Sequence, residues 1–165
     1  FRRQAKRALV FVTSKAPLFA VRSATVADAV ALSDLEREAR IEISAFRGHE
    51  VLLSEIESIG ALWGSTVGNI SSLVLVAETS GQIVGYAKGD ISAASTSCVV
   101  SHIYVDQMAR QIGIGAGLIA ELARVAKSRG CTTLDALALP GDRKMKNLYE
   151  RVGMPARLLI ASKTL

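Results

Sequence analysis

Apolar and polar positions change their spacing several times along the chain, and each change marks an element. Residues 18–22 predict a short strand. Thr25-x-x-Asp28 follows as a capping box, with Asp where Glu is commoner. Behind it, residues 26–39 are rich in helix formers, with Glu36, Arg37, Glu38 and Arg40 as a polar face. Residues 49–62 predict a second helix, because Val51, Leu52, Ile56 and Ile59 recur at helical spacing. Gly64 to Gly68 breaks that pattern. Residues 72–79 are almost all apolar, as a buried strand would be. Ser80-Gly81 signals a turn and residues 82–91 resume a strand, so the pair predicts a hairpin. Residues 92–95 form a small-residue loop, and residues 96–105 predict the third strand of this run. Residues 113–128 predict a helix, with Leu118, Leu122 and Val125 on one face and Glu121, Arg124 and Lys127 on the other. Gly130 ends it. Residues 132–139 predict another strand, Pro140-Gly141 a turn, residues 142–152 a helix closed by Gly153, and residues 157–162 a final strand. This order predicts an α+β fold, a mixed α/β sandwich, rather than a doubly wound sheet.

Composition narrows the class. The chain has 165 residues, 50% of them apolar and 21% charged, which suits one globular domain and excludes disorder as the main state. Aromatic content of 5% argues against a base-stacking platform, so nucleic acid is not an expected partner. No apolar run approaches a membrane span, so no membrane partner is expected either. The net charge is +5, and Arg2, Arg3, Lys6, Arg7 and Lys15 account for all of it without any acid in residues 1–16. The expected organisation is a basic, flexible arm over residues 1–16 and a single domain over residues 17–165. The arm reads either as solvated chain or as a contact for an anionic partner. Cys98 and Cys131 stand alone and read as buried small hydrophobes in a reducing compartment, with a cytoplasmic location expected. His49 and His102 lie far apart, and no metal-ligand spacing is present.

The strongest chemical signal is Arg110-Gln111-Ile112-Gly113-Ile114-Gly115-Ala116, which follows a strand and opens a helix. A helix start offers unpaired N–H groups and partial positive charge, and glycines let an anion approach the backbone. The loop therefore suits a pyrophosphate, to which Arg110 adds charge. It is not a mononucleotide P-loop, since no Lys-Ser or Lys-Thr follows. It is not a full dinucleotide fingerprint, since Leu118 stands where the third Gly belongs. Asp135 could mimic a ribose-binding acid, but the preceding antiparallel run does not make a βαβ unit.

These residues resemble the GNAT N-acetyltransferase superfamily. Its signature Gln/Arg-x-x-Gly-x-Gly/Ala is matched by Arg110, Gly113 and Gly115, and Ile103-Tyr104-Val105-Asp106 looks like the strand that enters the loop. A second element, Leu-Tyr-Glu-x-x-Gly-Phe, is matched by Leu148-Tyr149-Glu150-Arg151-Val152-Gly153-Met154, with Met in the last place. The resemblance covers roughly residues 18–165. It implies the GNAT fold, a central mixed, mostly antiparallel sheet flanked by helices. It implies an enzyme using acetyl-CoA as cosubstrate, without a metal, to acetylate a primary amine of a small molecule or peptide by direct attack. Homodimerisation is an expectation of the same kind. The alternative is a non-catalytic acyl-CoA-binding sensor or interaction module. Asp142 stands where relatives often have an Asn that contacts the pantetheine arm.

By this resemblance, the N–H groups of Ile112, Gly113, Ile114, Gly115 and Ala116 cradle the pyrophosphate, with Arg110 and Gln111 assisting. The backbone of Ile103, Tyr104 and Val105 pairs with the pantetheine arm like an added strand, and an N–H near Val105 polarises the thioester carbonyl. Two residues are candidates for catalysis. Tyr149 is either the general acid for the departing thiolate or a packing residue on one face with Met145 and Val152. His102 is either the general base or a structural histidine. Strand alternation puts it on one face with Tyr104, away from Ile103 and Val105, unless a bulge re-aims it. Asp90, Glu42 and a water chain are the other candidate bases. Lys127, Arg129, Arg143 and Lys146 read either as contacts for the CoA 3′-phosphate or as solvated charges.

Overall fold

A computed structural model describes residues 17–92, 94, 96–161 and 163. The basic segment 1–16 lies outside the described residues. Five strands form one sheet, β1 (Ala20–Ser23), β2 (Ser72–Thr79), β3 (Gln82–Ile91), β4 (Ser97–Val105) and β5 (Thr133–Ala136), in the order β1-β2-β3-β4-β5. Neighbours from β1 to β4 are antiparallel, and β4 with β5 is parallel. The β2–β3 hairpin keeps the bounds expected from the sequence. Its turn works because Ser80 and Gly81 both take positive φ, 49° and 78°, which matches the twist of the strands it joins.

Helices cover both faces, as the α+β reading requires. On one face lie α1 (Ala29–Ile43) and α3 (Trp63–Val67), whose Leu32, Leu35 and Trp63 are buried against Val74, Val76 and Tyr86. On the other lies α4 (Ile114–Ser128), whose Leu118 and Leu122 are fully buried with Leu75, Ala87 and Cys98. α2 (His49–Glu55) follows α1, with Leu52 and Leu53 toward the cleft that α1 also lines, and α5 (Arg143–Arg151) packs beside α4. Asp28 starts the first helical segment as expected: it accepts from the Thr25 N–H at 2.7 Å and is gripped by both Arg22 terminal nitrogens. Cys98 and Cys131 are both buried, and burial pushes the Cys98 thiol up to about 11. No helix among the described residues is long and apolar enough to cross a membrane.

Five expectations are corrected. The helix over 49–62 breaks after Glu55, and the chain resumes as a short turn (Gly60–Leu62) leading into α3. The backbone N–H groups of Ile59 and Gly60 bond to the Glu36 carboxylate instead of to helix carbonyls, and Gly60 sits at φ 51°. Gly64 accordingly lies inside a helix and does not end one. Glu36 is not on a polar face, being 1% exposed. β5 is half as long as expected, ending at Ala136. Residues 157–161 are not a strand: Leu158, Leu159 and Ile160 are exposed, and no described strand pairs with them.

Candidate active site

The site begins where the sheet opens. β4 and β5 pair only from Ser97↔Thr133 to Val100↔Ala136. Beyond that point β4 runs on to Val105 with its β5 side unpaired, and the chain after β5 turns away through Leu137–Leu139. Asp106 N–H donates to the Val84 carbonyl on β3, so alternation turns the backbone groups of Ile103 and Val105 toward the open side. The Val105 carbonyl is taken by Arg110 Nε at 2.8 Å. What the edge still offers is the N–H groups of Ile103 and Val105 and the Ile103 carbonyl, while the backbone groups of Tyr104, expected to join them, face Tyr86 on β3.

At the end of this edge the chain enters the glycine loop. Gln111 takes φ 72° and Gly113 φ 94°, and α4 starts at Ile114. The first helical bond of α4 is Gly117 N–H to Gly113 O, so the N–H groups of Ile114, Gly115 and Ala116 precede the ladder and point outward. Such a row of donors, with the dipole of a 15-residue helix behind it, suits an anion. Gly115 is small for a packing reason too, since a Cβ there would meet Leu148 of α5 at 3.0 Å. The Arg110 guanidinium, by contrast, does not face the cradle. It holds Glu42 at the end of α1 through two bonds of 2.9 and 2.6 Å and lies 5.3 Å over the Tyr104 ring. Its charge is matched by Glu42, so it ties the loop to α1.

A cleft of about 60 Å³ occupies the opening. Ser101, His102 and Ile103 line it from β4, Leu137 and Leu139 from beyond β5, and Glu36, Ala39, Arg40 and Ile43 from α1. Leu52 and Leu53 of α2 and Asp142, Met145 and Tyr149 of the α5 end complete it. Asp142 caps α5 by accepting from the Met145 N–H at 2.9 Å. Tyr149 is buried among apolar neighbours, which raises its phenol above the ordinary value. It is therefore protonated at neutral pH.

His102 reaches the cleft because β4 is irregular. Val100 pairs with Gly89 and His102 with Lys88, so Ser101 is an extra residue in β4. The bulge switches the alternation: Cys98 and Val100 pack on the α4 side, and so do Ile103 and Val105 after it. Ser101 and His102 are thereby both left toward α1. The His102 side chain is 9% exposed, edge-on to Trp63, and its buried Nε2 has no hydrogen-bond partner among the described residues. Burial, reinforced by the nearby Lys88 charge, lowers its pKa to about 4 despite Glu36 and Asp90. The imidazole is neutral across the physiological range.

Of the other candidate bases, Glu42 is committed to Arg110. Asp90 accepts from Lys88, Ser101 and Ser72. Burial would raise the Asp90 carboxyl, and these donors hold it below its ordinary value instead. Lys127, Arg129, Arg143 and Lys146 are all exposed, and Arg129 bonds the Ile70 carbonyl. Sequence reasoning missed three residues of the site, Glu36, Ser101 and Lys88. Glu36 accepts from Ile59 N–H, Gly60 N–H and Trp63 Nε1, all within 2.9 Å, and so fixes the wall beside His102. Among the described residues no group of His, Cys, Asp or Glu is arranged to hold a metal ion.

Comparisons with known proteins fit this geometry. The family model described as Acetyltransferase (GNAT) family matches residues 36–154. No curated protein matches at significant similarity. Among solved structures, a ribosomal-protein-alanine N-acetyltransferase from Brucella melitensis biovar Abortus 2308 is 21% identical, with TM-score 0.64 over 89% of this chain and 97% of its own. The PaiA N-acetyltransferase from Thermoplasma acidophilum, in complex with coenzyme A, is 18% identical, with TM-score 0.68 over 82% of this chain and 88% of its own. An aminoglycoside acetyltransferase from an uncultured soil metagenomic sample, in complex with sisomicin, is 17% identical, with TM-score 0.67 over 90% of this chain and 97% of its own.

Proposed function

The chain belongs to the acetyltransferase (GNAT) family, and on that premise we propose that it transfers an acetyl group from acetyl-CoA to a primary amine by direct attack. One observation carries this reading: the unpaired edge of β4 leads straight into the N-terminal cradle of α4. The edge suits an extended amide-bearing arm, and the cradle suits a pyrophosphate. The residues fit acetyl-CoA on both counts. Structures of relatives described as acting on a ribosomal protein alanine and on aminoglycosides support an amine acceptor.

Acetyl-CoA supplies a thioester carbonyl, and the chain supplies its surroundings. The Ile103 and Val105 N–H groups are the donors toward the carbonyl oxygen, where negative charge grows as nitrogen attacks. His102, neutral and facing the cleft, accepts the proton that the nitrogen sheds as the N–C bond forms. Tyr149 donates its phenolic proton to the sulfur as the C–S bond breaks. Asp142 caps α5 and so sets the position of Tyr149. No protein nucleophile is required, since the amine attacks directly.

The reading is tested by thermal-shift titration with acetyl-CoA, CoA, NADH and ATP, followed by thiol release with a panel of small amines and peptides. A ligand at about 100 times its dissociation constant adds roughly 2.7 kcal/mol, which is easily resolved. Stabilisation by the CoA ligands together with amine-dependent thiol release is expected. Binding without thiol release would leave a non-catalytic acyl-CoA module. A response confined to NADH or ATP would overturn both.

A further inference from the structure

The proton inventory around Ser101 carries one step more, resting on the acetyl-transfer reading above. Ser101 Oγ has three polar neighbours: Asp90 Oδ2, Lys88 Nζ at 3.2 Å and His102 Nδ1 at 3.1 Å. A hydroxyl has one proton to give and two lone pairs to receive with. An ammonium only donates, and an ionised carboxylate only accepts. The Ser101 proton therefore goes to Asp90, and one lone pair receives from Lys88. The other lone pair can only receive a proton from His102, which fixes that proton on Nδ1. Asp90 in turn is held by both Lys88 and the Ser72 hydroxyl, so the arrangement is saturated.

The other ring nitrogen is then a bare lone pair. Among the described residues, Nε2 is a buried side-chain atom without a hydrogen-bond partner, in a ring lining the cleft. The charged and polar groups facing the ring from each packed element are Glu36 Oε1 at 3.8 Å from α1, the Glu57 carbonyl, Lys88 and Asp90 from β3, and the Trp63 edge. Apart from Lys88, which is spent on Asp90 and Ser101, the polar groups among these are acceptors. A guest at Nε2 must therefore bring its own N–H, as an amine does.

We propose that Lys88, Asp90 and Ser101 are positioning residues that lock His102 as its Nδ1–H tautomer, so that Nε2 receives the acceptor amine's proton. In the step, the amine N–H bond breaks as the N–C bond forms, and the proton passes to Nε2. It leaves an imidazolium whose Nδ1–H stays on Ser101, with the new charge set against Glu36 and Asp90. The bulge at Ser101 thereby acquires a chemical purpose, because without the extra residue Ser101 and His102 would face opposite sides of the sheet.

The tautomer is read directly by long-range ¹⁵N NMR of the ring nitrogens at pH 7. A His49→Gln background leaves His102 as the single histidine. The expected spectrum has a protonated Nδ1 and an unprotonated Nε2, and Ser101→Ala moves the proton to Nε2. In steady-state assays, Ser101→Ala and Asp90→Asn lower kcat at least tenfold while KM for acetyl-CoA holds, and Ser101→Thr restores kcat. An Nε2–H tautomer in the parent overturns the proposal. So does a Ser101→Ala variant, folded by its melting curve, that leaves tautomer and kcat unchanged. So does an unimpaired His102→Gln. The NMR arm needs no turnover. If the wild-type chain releases no thiol with any amine, acetyl transfer itself is what fails.

Discussion

A buried phenol and a buried imidazole face one cleft here, and burial holds each of them in its uncharged form. Burial keeps Tyr149 protonated far above neutrality and keeps His102 unprotonated down to about pH 4. Each residue is thus in the form its proposed task requires before any substrate arrives. The acid is the simpler to test. Tyr149→Phe removes one oxygen from a side chain whose hydroxyl makes no hydrogen bond to the described residues, so the fold should tolerate it. General acid catalysis by a positioned side chain contributes roughly 10²- to 10⁴-fold. The variant should bind acetyl-CoA as before by calorimetry and lose kcat by about 10²-fold in a thiol-release assay. A kcat within a factor of two of wild type would return Tyr149 to the apolar cluster it shares with Met145 and Val152.

At the scale of elements, the join between β4 and α4 does the most with the fewest residues. Gly113 stands at φ 94°, where an L side chain is strained by roughly 1–2 kcal/mol, and it precedes the free N–H groups of Ile114 to Ala116. Gly113→Glu would add that strain and set a carboxylate where an anion is expected. Acetyl-CoA should then give no thermal stabilisation, while the ligand-free melting point falls by only a few degrees. Stabilisation equal to wild type would show that the cradle is not the pyrophosphate site. This join was legible in the sequence because glycine spacing and a strand-to-helix switch are local signals. So was the β2–β3 hairpin, fixed by Ser80-Gly81 and a continuous apolar run. What was not legible depends on distant partners. Glu36 sits in an acidic stretch of a helix, and only the N–H groups of Ile59, Gly60 and Trp63 folding back over it make it internal. The same contacts break the helix expected over 49–62. The bulge at Ser101 arises from register with β3, which alternation within one strand does not reveal. Arg110 looked like an anion ligand until Glu42, 68 residues away in sequence, proved to hold it.

For the whole molecule, the same buried groups set how the fold responds to acid, and their windows separate. A histidine whose folded pKa is about 4 against an ordinary value of 6.5 takes up its proton only on unfolding at intermediate pH. Its penalty is absent above about pH 6.5, grows as pH falls, and levels off below about pH 4. Glu36 and Asp90 are shifted the same way, below their ordinary values of 4.5 and 3.8, so the stability they confer is present above those values and is lost only at lower pH. Between pH 7 and pH 5, His102 therefore dominates among these three. At about 1.4 kcal/mol per unit, the fold should lose roughly 2 kcal/mol over that interval. For a chain of this size that is a drop of roughly 4–8 °C in melting temperature. His102→Gln, which has no proton to gain, should melt at nearly the same temperature at pH 7 and pH 5. If wild type and variant show the same drop, the acid sensitivity belongs to other groups, and His102 is not held neutral by its burial beside Trp63 and Lys88. If the drop vanishes with His102, one measurement on the free protein has shown that the imidazole facing the cleft keeps its lone pair available at the pH where an amine would meet it.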